Sequence, residues 1–150
     1  MSEFTKYRLR PVEESDIKLL YEMLREFMSI SNTSINNRPF PSYEESKKFV
    51  LKYLYDNENH EYDKWYIVID ECGTAVGNVY ITDKNYVSYH ILKLYCGKGI
   101  GIHAVRLLMK SNPRNRYFAV IHEKNEKSLN LIKKLGFHPK AIVFEKIIEE

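Results

Sequence analysis

At 150 residues, with 44% hydrophobic, 29% charged and 13% aromatic side chains, the chain has the composition of one folded domain around one core, which excludes disorder. Its formal charge of +3 comes from Lys and Arg scattered among Asp and Glu, so nucleic-acid binding has no basic face to rest on. No run of about 18 apolar residues is present to cross a membrane, and Met1–Lys6 has no apolar leader, so the expected location is the cytoplasm.

Residues 4–11 alternate, with Tyr7 and Leu9 facing one way and Lys6, Arg8 and Arg10 the other; this predicts a strand buried on one face and ended by Pro11. From Glu14-Ser15-Asp16 a helical period begins that carries Ile17, Leu20, Met23 or Leu24, and Phe27 toward the core. Ser29 to Pro41 turns polar and irregular and reads as a loop. Ser42 and Glu45 then form a capping box that opens a second helix, with Phe49, Val50, Tyr53 and Leu54 as its buried side. The acidic stretch from Asp56 to Asp63 holds His60 without a second His or Cys at ligand spacing, so it reads as solvated and not as a metal site.

Trp65 to Ile69 and Ala75 to Thr82 predict a hairpin across Asp70-Glu71-Cys72-Gly73. After a turn at Asp83-Lys84-Asn85, residues Tyr86 to Leu94 form the next strand, and a helix beyond the following loop stops at Ser111-Asn112-Pro113. Arg116 to His122 reads as a buried strand. Asn125 begins a last helix with Leu129, Ile132 and Leu135 on one face and Gly136 as a left-handed stop, and Phe137 to Ile148 supplies closing strands. This order predicts an α/β fold. Cys72 and Cys96 have neither metal nor CxxC spacing and read as free thiols.

Two segments carry chemistry. Tyr95-Cys96-Gly97-Lys98-Gly99-Ile100-Gly101 is a glycine loop between strand and helix, where backbone amides and the first helical turn make a concavity suited to phosphate. Glycines also serve tight turns and close packing, so the loop alone is weak evidence. A magnesium-binding P-loop is disfavoured because no Gly-Lys-Ser/Thr ending follows. One strand further on stands Asn125-Glu126-Lys127-Ser128, continuing to Lys134-Leu135-Gly136-Phe137.

Together, in order and spacing, these segments resemble the GCN5-related N-acetyltransferase (GNAT) family. The first is similar to its Gln/Arg-x-x-Gly-x-Gly/Ala pyrophosphate loop, with Cys96 at the Gln/Arg position, and the second to its Asn-x-x-Ala/Ser…Lys-x-Gly-Phe segment. The resemblance spans nearly the whole chain. It implies a GNAT-like fold, with a mixed, mostly antiparallel central sheet of about six to seven strands flanked by about four helices. It also implies acetyl-CoA as co-substrate and a primary amine of a small molecule or peptide N-terminus as acceptor; a monomer or homodimer is expected. The loop between the first two helices would wall the acceptor site. Main-chain groups near Ile91, Leu92 and Lys93 would pair with the pantetheine arm, and the backbone from Cys96 and Gly97 through Lys98, Gly99, Ile100 and Gly101 would hold the pyrophosphate. Asn125 would bond the pantetheine end near the sulfur, with Ser128 and Lys134 flanking the cofactor. Each has a structural reading beside it: Asn125 as a cap, Ser128 as a small packed residue, Lys134 as a solvated charge.

The sequence departs from the family at the two positions that usually move protons. The Tyr that protonates the thiolate falls on Ile132, and the Glu used as base falls on Val120. His90 and Tyr89 are the candidate catalytic substitutes, His90 for its pKa range, and strand alternation puts the two on opposite faces of the sheet. His122, at the end of the next strand, is a further candidate, and His103 would meet phosphate. Two activities are therefore expected in competition: an N-acetyltransferase working by direct attack, or a non-catalytic acyl-CoA-binding module of the same fold.

Overall fold

The computed structural model describes residues 6–30, 40–58 and 60–148. Four strands, β1 (Arg8–Pro11), β2 (Tyr62–Ile69), β3 (Ala75–Thr82) and β4 (Val87–Ile91), pair antiparallel in chain order. The turns between them have local causes. The Asp70 side chain accepts from the amides of Cys72 and Thr74, both at 2.9 Å, and Gly73 takes the positive φ that closes the β2–β3 hairpin. Asn85, at φ +70°, closes the β3–β4 turn.

Helices α1 (Ile17–Ile30) and α2 (Tyr43–Tyr55) cover one face of the sheet, with Ile17, Leu20, Met23 and Val50 buried against Trp65, Ile67 and Ile69. Helix α3 (Ile100–Ser111) covers the other, burying Ala104, Val105 and Leu108 against Val68, Val76, Val79 and Ile81. Side chains of this size contribute roughly 1.5–3 kcal/mol each when withdrawn from water, so the two cores hold the sheet between three helices. The last helix, α4 (Glu126–Lys134), joins the second core through Leu135 and Phe137 just beyond its end. That end is a full left-handed stop: Gly136 has φ +89°, its amide donates to Lys133 O, and the Phe137 amide donates to Ile132 O. Of the predicted capping box at α2, the Ser42 half is present, its hydroxyl accepting from the Glu45 amide at 3.1 Å. No helix among the described residues is long and apolar enough to cross a membrane.

The sheet is smaller than the sequence suggested, four strands among the described residues and not six to seven. The segment expected as a strand from Arg116 to His122 meets the sheet at a single parallel bridge, Phe118 to Tyr86. There the Val87 amide donates to Phe118 O and the Phe118 amide to Asn85 O; beyond that point the segment parts from β4. The closing strands expected over residues 137–148 do not form either, and Ile142, Val143, Phe144, Ile147 and Ile148 are exposed. Pro139 offers no amide to a ladder, and residues 138–148 pair with no strand among the described residues. Helix α1 continues through Ser29 and Ile30, which were assigned to a loop; residues 31–39 of that loop lie outside the described residues.

Candidate active site

Strand β4 organises the site because its two faces and its free edge do different things. The antiparallel register pairs His90 with Asn78 and Tyr89 with Val79. Leu92 donates its amide to Val76 O at 2.9 Å, so the residues in step with it, His90 and Ser88, turn their main chain toward β3. Tyr89 and Ile91 turn theirs to the opposite edge, which past Val87 has no strand beside it among the described residues. The Ile91 carbonyl meets the thiol of Cys96, 3.4 Å away.

The side chains split as strand alternation requires. Tyr89 lies on the α3–α4 face, where its hydroxyl shares a 2.8 Å hydrogen bond with the Ser128 hydroxyl. Burial pushes the Tyr89 phenol above its ordinary range, and the bond to Ser128 works against that rise. His90 lies on the α1 face. Its Nε2 stands 3.3 Å from Oε1 of Glu26, and the Phe27 ring packs edge-on to the imidazole with centroids 5.5 Å apart. Burial lowers the His90 pKa, while the Glu26 carboxylate partly restores it. The imidazole is thus held as a neutral base near neutral pH.

A short 3-10 turn, Lys93–Tyr95, carries the chain from β4 into the glycine loop. Gly97 and Gly99 both adopt left-handed φ, +83° and +76°, and a Cβ on either would meet nothing within 4 Å. The space in front of the loop is open and its backbone bends as only glycine does cheaply. Gly99 is the N-cap of α3, and the first amide to bond back is that of His103, donating to Gly99 O at 3.3 Å. Ile100, Gly101 and Ile102 thereby present the first-turn donors that a helix cannot satisfy itself, beside the exposed Lys98. Such a cradle fits a pyrophosphate. Gly101 has a different reason to be glycine: a Cβ there would stand 2.8 Å from Leu131 Cδ1 and 3.2 Å from Tyr89 Cε2, so its absence lets α3 close on α4 and β4.

The other sequence-marked residues are spread around this centre. The Asn125 side chain accepts from the Ser128 amide at 3.3 Å and caps α4. Lys134 is exposed in the last turn of α4, Ile132 is half-buried, and Val120 is 59% exposed beyond the Phe118 bridge. His122 accepts from the Lys124 amide through Nδ1, 3.1 Å away. His103, expected to meet phosphate, is instead buried edge-on to Tyr7, on the turn of α3 that faces the core. Of the trio Ile91, Leu92 and Lys93, the last two donate their amides to Val76 O and to Glu26, and the Ile91 main chain faces the free edge. Glu26 itself was not legible in sequence, since one acid among the polar positions of α1 has nothing local to mark it.

An acetyltransferase (GNAT) domain model matches residues 6–138. The chain belongs to the GNAT acetyltransferase family. Acetyl-CoA is the co-substrate of this family, and the glycine cradle and free β4 edge fit that role. Among solved GNAT structures, spermidine N-acetyltransferase from Vibrio cholerae, in complex with CoA and spermine, superposes with a TM-score of 0.79 at 18% identity, over 97% of this chain and 89% of that one. A domain from Methanocaldococcus jannaschii gives 0.73 at 23% identity, over 90% of each chain. The acetyltransferase from Salmonella typhimurium that modifies the N-terminal serine of ribosomal protein L7/L12 gives 0.64 at 19% identity, over 87% and 79%. No curated protein matches the sequence.

Proposed function

We propose that this GNAT domain is an active N-acetyltransferase that moves the acetyl group of acetyl-CoA onto a primary amine of a small molecule or a peptide N-terminus. One observation carries the reading: the edge of β4 opens directly beside the glycine cradle, with a neutral imidazole on one face of the same strand and a protonated phenol on the other. The pyrophosphate binds the backbone from Cys96 and Gly97 through Lys98, Gly99, Ile100 and Gly101, and the pantetheine arm extends along the β4 edge at Ile91 and past Leu92 just beyond it. Asn125, Ser128 and Lys134 flank it from α4. The neutral amine attacks the thioester carbonyl carbon, its proton passes to His90 directly or through water, and the carbon–sulfur bond breaks. Tyr89, whose phenol burial shifts further above its ordinary range, acts as a hydrogen-bond donor on the cofactor side. The departing thiolate takes its proton from solvent, since Ile132 has none to give. On this reading the protein works in the cytoplasm, as a monomer or homodimer, without nucleic acid or membrane as partner.

A second reading, a non-catalytic acyl-CoA-binding module, is favoured by the inert side chains of Ile132 and Val120 at the positions where the family holds Tyr and Glu. Thiol release from acetyl-CoA, measured against a panel of polyamines, simple alkylamines and peptides with free N-termini, separates the two. Steady turnover with any acceptor establishes the enzyme. Tight acetyl-CoA binding without turnover across the panel establishes the binding module.

A further inference from the structure

Glu26 lies far from β4 in sequence, yet its Oε1 meets both that strand and the turn that follows it. The amide of Lys93 donates to it at 2.6 Å, and Nε2 of His90 stands 3.3 Å from the same atom. One carboxylate oxygen therefore bridges α1 to the last turn of backbone before the glycine loop and to the imidazole of the residue next to the free-edge residue Ile91.

We infer that Glu26 is a positioning residue for acetyl transfer: it fixes the ring of His90 with Nε2 turned to the carboxylate, sets that imidazole's basicity, and pins the end of β4 against α1. The inference rests on the reading of His90 as the proton acceptor. The surroundings leave Glu26 this task. From α1 the other group against the imidazole is the Phe27 ring, which carries no charge. From β3 the cross-strand neighbour is Asn78, whose side chain accepts from Trp65 Nε1 at 3.0 Å and donates to Met23 Sδ. Glu26 is the charged group acting on His90 among the described residues. A carboxylate beside an imidazole favours the imidazolium, so it strengthens a base that burial would otherwise weaken. With Nε2 buried and facing Glu26 at 3.3 Å, Nδ1 is the nitrogen left to take the amine's proton.

Glu26→Gln tests this in the full-length chain, because the amide keeps an oxygen to accept from Lys93 while losing the charge. The expected result is that the His90 titration midpoint, followed by NMR of its imidazole carbons, moves to lower pH by about one unit. The acid limb of the kcat/KM profile moves with it, the plateau falls about tenfold, and acetyl-CoA affinity and Tm stay close to the parent. Glu26→Asp, which keeps the charge, should return the midpoint toward the parent value. If the His90 midpoint does not move in Glu26→Gln, the inference is overturned while His90 remains the base. If the midpoint moves and the rate profile does not, both this inference and His90 as base are overturned.

Discussion

Gly101 and Leu131 approach so closely that a Cβ on the glycine would stand 2.8 Å from Leu131 Cδ1. Alanine normally gains about 1 kcal/mol over glycine within a helix, but overpacking costs about 1–3 kcal/mol, and here the second term wins. Gly101→Ala should lower stability by about 1 kcal/mol, seen as a Tm drop of a few degrees. Adding Leu131→Ala should remove the penalty that Gly101→Ala carries in the parent. A stabilised Gly101→Ala would mean that α3 and α4 have room to spare.

Gly99 poses the opposite case, with open space and a positive φ. Gly99→Val meets no neighbour, yet it must hold a β-branched residue in the left-handed region at a cost of about 1–2 kcal/mol, and its side chain enters the space before the cradle. The variant should fold. Acetyl-CoA at a hundredfold its dissociation constant should stabilise the parent by about 2.7 kcal/mol and the variant not at all, as read by thermal shift. Normal binding by Gly99→Val would make the loop purely structural.

Asp16 is buried at the start of α1, where its carboxylate receives two hydrogen bonds from Arg10, at 2.8 and 2.9 Å, and one from the Glu13 amide at 2.7 Å. Burial works to raise its pKa, but these bonds outweigh it and hold the carboxyl below the usual aspartate range. The stability this group contributes is therefore complete above about pH 4, its unfolded-state value, and is lost as pH falls through the lower folded-state pKa. Asp16→Asn should cost about 2 kcal/mol at pH 7, less than the roughly 3–5 kcal/mol of a fully buried pair because the Arg10 side chain is 31% exposed. Urea melts at pH 7 and pH 3 should show that difference shrink at the lower pH.

Removing the imidazole tests the chemistry directly. His90→Ala should lower kcat/KM by roughly two to four decades with acetyl-CoA affinity nearly unchanged. Tyr89→Phe deletes the hydroxyl bonded to Ser128 and should cost less, as the loss of one donor. Ile132→Tyr places a phenol at the family's usual position and should raise kcat without altering affinity. Full activity in both His90→Ala and Tyr89→Phe would leave the proton to solvent alone.

What could be read from sequence was whatever is written locally. The hairpin turn at Asp70–Gly73, the glycine loop before α3, the cap at Asn125 and the stop at Gly136 are local chemistry, and each appears where its residues placed it. The opposite facing of Tyr89 and His90 follows from the two-residue period alone. Strand count failed because a strand is defined by its partner: Tyr117 to Ile121 is as apolar as β2, yet among the described residues it pairs with the sheet backbone only at Phe118. His103 was misplaced because adjacency to a loop in sequence says nothing of which side of a helical turn a residue takes. The contacts Glu26–His90 and Arg114–Asp63 join distant segments, and no period or spacing announces them.

The single bridge between Tyr86 and Phe118 leaves β4 zipped on one side and open on the other. Along that strand every second amide, His90 and Leu92, is locked into the sheet, while the alternate ones, Tyr89 and Ile91, face the gap. Deuterium uptake should accordingly run fast, slow, fast, slow down the strand in the free protein, and the fast members alone should slow when a ligand lies along the edge. The strand is in this sense its own occupancy gauge, able to report which candidate ligands enter the cleft before any acceptor amine has been found.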